Sequence, residues 1–146
     1  MIFWMLRREW VRTCGRRQWG MALAAIVRGA RGGAEPAILI TAGVSGGLLL
    51  AMLATIEPGD EVIFLDPYFV SYMQLVRMVG GTPVAVPSYP DFAFPAEAVE
   101  RAITPRTKLL LINSPGNPTG RVMSEAEIKT AAALARKHDL LLLSDE

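Results

Sequence analysis

The sequence predicts an α/β fold, a mainly parallel sheet in three α/β/α layers. Three observations predict it. Short continuous apolar runs recur at Ala37–Ile40, Val62–Leu65, Val84–Val86, Leu109–Ile112 and Leu140–Leu143, and such runs suit strands buried on both faces. Helix-compatible stretches alternate with them, over Ser45–Ile56, Val70–Val79, Pro95–Ile103 and Ser124–His138. Turn signals separate the two kinds of segment at Pro58-Gly59-Asp60, Gly80-Gly81, Ser88–Pro90 and Ser114–Gly120. Strand–helix alternation of this kind builds a parallel sheet through right-handed crossovers. Strands are therefore expected near 37–41, 61–65, 83–87, 108–112 and 140–144.

The elements follow two different compositions. Residues 1–33 carry seven arginines and one acid, a net +6, together with all three tryptophans and the single cysteine, Cys14. Residues 34–146 carry a net −5. The junction lies near Gly32-Gly33, and residues 1–33 read as a basic leader of uncertain order. Ile2–Leu6 is too short for a secretory apolar region, and its charges come after it instead of before it. Arg7-Arg8 resembles a twin-arginine signal, but no long apolar run comes directly after it, because Arg12, Arg16 and Arg17 interrupt. A nucleic-acid arm would use the same arginines and tryptophans, without a recognisable module to support it.

Residues 36–56 contain no charge over 21 positions, about the ~20 needed to span a bilayer. Three glycines and two hydroxyls within Thr41–Gly47 argue against a span. Strand formers precede that segment and Leu, Ala and Met succeed it, so it reads as strand, Gly-rich turn and helix. The last helix has the clearest start: Ser124 is followed three residues on by Glu127, a capping box.

Composition bounds the chemistry. With 146 residues, 51% of them apolar and 20% charged, the chain is one globular domain's worth and not a disordered or low-complexity protein. One cysteine excludes an internal disulfide framework and a multi-thiolate zinc site, and one histidine, His138, excludes catalysis by a histidine pair. A net charge of +1 gives no general argument for nucleic acid.

Ligands of open α/β sheets bind outside the carboxyl ends of the strands. The residues expected there are Gly43–Gly46, Asp66–Phe69, Asn113–Gly120 and Ser144–Glu146. They offer an anion cradle, aromatics, an amide and a carboxylate. A ligand matching all four carries an anion, an aromatic ring and a basic ring nitrogen.

From Ile38 to Glu146, three quarters of the chain, these segments resemble the class I/II aminotransferases, fold type I enzymes dependent on pyridoxal 5'-phosphate. The resemblance rests on ITAGVSGGL, EPGDEVIFLDPYFVSY, VGGTPV, TKLLLINSPGNPTG and LLLLSDE. The run Asn117-Pro118-Thr119-Gly120 is its most specific part. The resemblance implies roles for five residues. The N–H groups of Val44 and Ser45, with the Ser45 hydroxyl, would take the cofactor phosphate, at a helix start suited to anions; alternatively Ser45 is only a helix N-cap. Phe69 would stack on the pyridine ring, with Tyr68 and Tyr72 as candidates in a shifted register. Asn117 would donate to the phenolic oxygen, where the alternative is an ordinary turn asparagine. Asp145 would face the pyridine nitrogen and keep it protonated, where the alternative is a surface acid. Cis bonds before Pro118 and Pro67 are also implied.

The family's Schiff-base lysine has no match here: Lys108 is expected at the far end of a strand, and Lys129 and Lys137 on the last helix. No catalytic residue is therefore assigned, and the isolated chain is expected to be inactive. The tyrosine, the two arginines and the small domain found further along in the family are also unmatched. The resemblance implies a fragment, residues 34–146, of the cofactor-binding large domain of a cytoplasmic, homodimeric aminotransferase acting on an amino acid and a 2-oxo acid. It implies no metal, nucleic acid or membrane. A fold type I decarboxylase, lyase or oxoamine synthase is the nearest alternative, disfavoured by the Asn-Pro-Thr-Gly run. A non-catalytic cofactor-binding or dimerising remnant is the other.

Overall fold

The computed structural model describes residues 2–6, 22–27 and 37–146. The chain order is β1 (Ile2–Leu6), β2 (Ala22–Val27), β3 (Ala37–Ala42), α1 (Gly43–Thr55), β4 (Glu61–Asp66), α2 (Ser71–Met78), β5 (Thr82–Pro87), α3 (Ala96–Ala102), β6 (Thr107–Asn113), α4 (Glu125–Lys137) and β7 (Leu141–Asp145). One seven-stranded sheet runs in the order β3-β2-β1-β7-β6-β4-β5. Strands β4, β5, β6 and β7 are mutually parallel; β1 runs antiparallel to β7, and β2 antiparallel to β3. Since β1 and β2 are parallel, β3 points the same way as β7, and five of the seven strands share a direction.

The five expected strands and four expected helices are present, with ends moved by one or two residues. Two strands were not anticipated. Both β1 and β2 fall within residues 1–33, whose reading turned on charge. Residues 36–56 form no single helix, because β3 ends at Ala42 and α1 begins at Gly43. No helix among the described residues is long and apolar enough to cross a membrane. The leader readings turn on arginine and tryptophan side chains that lie outside the described residues, as do Cys14 and the Gly32-Gly33 junction.

Alternation along the strands explains the layers. Successive side chains in a strand point to opposite faces. Val62 and Phe64 of β4, Leu109 and Leu111 of β6, and Leu143 of β7 pack on one face with Leu48 and Met52 of α1 and Tyr72, Leu75 and Val76 of α2. Ile63, Leu110, Ile112 and Leu142 pack on the other with Val99 of α3 and Ala131, Ala132, Leu134 and Ala135 of α4. Burial on both faces is why these strands read as continuous apolar runs. In α2 the buried residues are spaced i, i+3, i+4, one helical face.

The helix ends set the loops. Gly80 takes φ +84° after α2, with Gly80 N–H donating to Arg77 O and Gly81 N–H to Val76 O. This is a Schellman end, and it needs a residue free to adopt the left-handed region. At α4 the expected capping box is formed: Ser124 Oγ accepts from Glu127 N–H, and the Glu127 carboxylate accepts from Ser124 N–H.

Candidate functional site

The loops after β3, β4, β6 and β7 all lie at the carboxyl ends of strands that point the same way, so the five residues singled out in the sequence share that edge of the sheet. Gly43, at φ +77°, turns the chain from β3 into α1. The N-cap of α1 is Ala42, with no side-chain capping bond and no acid in the first turn. The first-turn N–H groups of a helix have no intrahelical partner and carry its positive end. Val44 and Ser45 supply two of them. Ser45 is exposed and lies inside the first turn, so the N-cap alternative is not the role it takes.

Asp145 ends β7 and is only 3% exposed, which excludes the surface-acid alternative. Its Oδ2 accepts a 2.5 Å hydrogen bond from the Tyr72 hydroxyl. Its Oδ1 is buried with no hydrogen-bond partner among the described residues. Burial raises the carboxyl pKa, partly opposed by the Tyr72 hydrogen bond. Burial and the neighbouring carboxylate also raise the Tyr72 phenol, which stays protonated and donates.

Tyr72 is itself 1% exposed and sits one turn after Phe69, with Tyr72 N–H donating to Phe69 O at 3.0 Å. The two rings meet edge to face, centroids 5.6 Å apart at 83°. Tyr72 therefore serves the Asp145 carboxylate and buttresses Phe69, a role distinct from the stacking considered for it. Phe69 is half-buried.

Asn117 lies in the loop between β6 and α4. The loop closes on itself: Gly120 N–H donates to Gly116 O at 2.7 Å and Gly116 N–H to Arg121 O at 2.8 Å. A Cβ on Gly116 would stand 2.8 Å from Thr119 Oγ1. The bonds before Pro67 and Pro118 are cis, as are those before Pro90 and Pro115. Asn117 is exposed, its main-chain N–H is bound by Asn113 Oδ1, and its side-chain amide makes no hydrogen bond among the described residues. A cleft beside it is lined by Phe64, Tyr68, Tyr72, Asn113, Asn117 and Arg121.

Direct contacts join Phe69, Tyr72 and Asp145 on one side, and Asn117, Asn113 and Asp145 on the other. Val44 packs with Phe69 against the core of the α1–α2 face. Ser45 has no direct hydrogen bond to the other four residues, and β1 and β2 separate β3 from β7 within the sheet. Sequence reasoning gave no role to Asn113 and considered Tyr72 only for stacking. The i, i+3 spacing from Phe69 and the position at the last residue of β6 were the available signals. The lysines are elsewhere: Lys108 is exposed near the amino end of β6, Lys129 pairs with Glu125 at 2.6 Å, and Lys137 with Glu100 at 2.6 Å.

The donor set fits pyridoxal 5'-phosphate. A buried carboxylate oxygen without a partner suits a protonated ring nitrogen, because an uncompensated buried acceptor is costly. The bare helix start suits a phosphate and the half-buried Phe69 an aromatic ring, while of the five residues Asn117 alone lines the cleft.

Comparison with known proteins agrees. The family profile described as aminotransferase class I and II matches residues 21–146. A probable aspartate/prephenate aminotransferase of Thermus aquaticus is 49% identical over 110 residues, 74% of this chain and 29% of that protein. A probable N-succinyldiaminopimelate aminotransferase of Mycobacterium tuberculosis is 43% identical over 115 residues, 77% of this chain and 29% of that protein. Among solved structures, an N-succinyldiaminopimelate aminotransferase from Mycobacterium tuberculosis superposes with a TM-score of 0.69 at 43% identity, over 71% of this chain and 28% of that one. An aspartate aminotransferase from Thermus thermophilus does so with a TM-score of 0.65 at 48% identity, over 66% and 27%. The chain thus spans less than a third of the length of the curated relatives it matches. Members of the matched family depend on pyridoxal 5'-phosphate, the cofactor that the Asp145 and Phe69 geometry suits, and on fold, site and sequence together this chain belongs to the class I and II aminotransferases.

Proposed function

We propose that residues 34–146 are part of the cofactor-binding large domain of a pyridoxal-phosphate-dependent aminotransferase, whose reaction moves an amino group between an amino acid and a 2-oxo acid. The observation that carries the proposal is the buried Oδ1 of Asp145, which has no hydrogen-bond partner among the described residues. When bound, pyridoxal phosphate supplies an electron sink conjugated to the substrate's α-carbon. Asp145 holds a proton on the ring nitrogen, because an ionised carboxylate in a buried site favours the cationic form of its partner. Tyr72 fixes the carboxylate so that Oδ1 stays free. Phe69 orients the ring by its face, and Asn117 donates to the phenolic oxygen. The N–H groups of Val44 and Ser45, with the Ser45 hydroxyl, hold the phosphate. None of these groups forms a covalent bond or abstracts the substrate's α-proton, so in this reading the chain binds and orients, and the lysine that completes the reaction belongs to the parent protein.

The parent is read as a cytoplasmic homodimer. Leu50 and Leu53 of α1 are 49% and 60% exposed, apolar surface that a subunit or a further segment would cover.

Pyridoxamine 5'-phosphate, which needs no lysine to bind, tests the reading on the 146-residue chain. Titration followed by the ligand's fluorescence should show reversible binding that Asp145→Ala abolishes. Equal binding by the variant would overturn the assignment. With pyridoxal phosphate, borohydride should trap no stoichiometric adduct at Lys108, Lys129 or Lys137, and no transamination should be seen.

A further inference from the structure

Resting on that reading, we infer that Asn113 is a positioning residue: its carboxamide bridges the main chains of Asn117 and Asp145 and so sets the spacing between the amide and the carboxylate that meet the cofactor ring.

Asn113 is the last residue of β6 and lies opposite Asp145 in the parallel register with β7. Its Nδ2 donates to Asp145 O at 2.8 Å. Its Oδ1 accepts from Asn117 N–H at 2.7 Å. Both ends of one side chain thus terminate on residues assigned to the same ligand. The amide's orientation is fixed by chemistry, because a main-chain N–H must meet an acceptor and a carbonyl must meet a donor. Ser114 N–H donates to the same Asp145 carbonyl at 3.0 Å, so the end of β7 is held by two donors.

The loop beyond Asn113 behaves as one body. Besides the bonds that close it on itself, Met123 N–H donates to Ser114 Oγ at 2.9 Å. A grip on Asn117 N–H therefore fixes the loop as a whole, and with it the direction of the free Asn117 side chain. The Asn117 N–H is at the surface and has no other protein acceptor among the described residues, so its protection from water depends on Asn113. Aspartate at position 113 would keep the acceptor for Asn117 N–H but lose the donor to Asp145 O. Alanine would lose both.

Those two variants separate the arms. In the 15N-labelled 146-residue chain, Asn113→Ala should speed exchange of the Asn117 amide about tenfold, the order expected for one hydrogen bond. Asn113→Asp should leave that rate unchanged. Both variants should bind pyridoxamine 5'-phosphate about tenfold more weakly than the parent chain, the same one-bond order, with exchange at Leu143 in the core unaltered. Unchanged Asn117 exchange in Asn113→Ala overturns the bridge, and unchanged affinity in Asn113→Asp overturns its role in spacing. If Asn113→Ala does not fold, Asn113→Asp alone decides by the same affinity. If the parent chain shows no ligand-induced shift at Asn117 or Asp145 up to millimolar ligand, the cofactor reading fails and the spacing role fails with it, while fast exchange in Asn113→Ala would still show that the bridge exists.

Discussion

Replacing Tyr72 with phenylalanine removes one oxygen and tests the central electrostatic feature of the site. Among the described residues the hydroxyl is the one hydrogen-bond donor to Asp145 Oδ2, and Oδ1 has none. A hydrogen bond to a charged group contributes roughly 1.5–3 kcal/mol, and leaving the acceptor buried incurs its desolvation cost. At pH 7 Tyr72→Phe should therefore lose about 2–3 kcal/mol of stability, a fall in Tm of roughly 4–12 °C for a domain of this size. The pH dependence has a definite sign. Burial raises the folded-state pKa of Asp145, so its ionised form opposes folding above the unfolded value of about 3.9. That penalty is absent at lower pH and grows as the pH rises through the folded pKa. Loss of the Tyr72 hydroxyl pushes the folded pKa up further, so the difference between variant and parent should be largest at neutral pH. Near pH 3, where a neutral carboxyl meets a neutral phenol, it should shrink to about 0.5–1.5 kcal/mol. Urea denaturation followed by circular dichroism at both pH values measures it, and Asp145→Asn in the Tyr72→Phe background should cost less than the sum of the single changes. A variant as stable as the parent at pH 7, or a gap that widens in acid, would refute the reasoning.

Other expectations concern the scaffold. Glu61, 4% exposed at the start of β4, accepts from the hydroxyls of Thr104 at 2.6 Å and Thr107 at 3.0 Å and from Arg106 at 2.9 and 3.2 Å. The Thr104 bond outweighs burial and, with Arg106 and Thr107, lowers its pKa. Glu61→Gln should cost about 1–3 kcal/mol at pH 7, and chemical denaturation should show that loss fading as the pH drops below the unfolded value of about 4.3. At Glu127 burial acts upward, but the N–H groups of Phe94 and Ser124, the Ser124 hydroxyl and Arg121 bring the pKa down to about 2. The stability it contributes is present above about pH 4.3 and lost toward pH 2, and a Glu127→Gln variant should have a flatter thermal-melt profile across that window. Leu53→Lys should reduce self-association of the chain in sedimentation velocity with little change in Tm; an unchanged sedimentation profile would show that α1 is not the adhesive face.

Periodicity made most of the fold legible. Buried strands such as β6 carry apolar side chains on both faces, so Leu109–Ile112 needed no partner to be recognised. The Ser124–Glu127 capping box is a purely local signal, and the structure forms it. Strand β2 was not legible, because Ala22–Val27 is alanine-rich and weak in strand propensity, and its pairing with β1 and β3 decides its conformation, as tertiary context often does; β1, Ile2–Leu6, is rich in strand formers but stands alone before an arginine-rich segment, outside the strand–helix alternation. Within the proposed site, Asp145, Phe69, Asn117, Val44 and Ser45 are read from motif resemblance. Tyr72 and Asn113 have local links, to Phe69 and Asn117, but their bonds to Asp145, which give them these roles, join parts distant in sequence. A tyrosine hydroxyl reaching a carboxylate 73 positions away, and an amide reaching a carbonyl 32 positions away, leave no trace in local pattern.

Those same separations have a kinetic consequence. Helices α2 and α4 close short loops, and their hydrogen bonds can form early, whereas contacts of high sequence separation must wait until loop-closure entropy is overcome. The bonds from Tyr72 and Asn113 to Asp145 exist only once β7 has docked between β1 and β6. In a refolding experiment, protection of the Ser114 amide, which donates to Asp145 O, should therefore lag behind the gain of helical signal and coincide with burial of Leu142 and Leu143. By this argument the crevice edge acquires its shape after the helices beside it and loses it early.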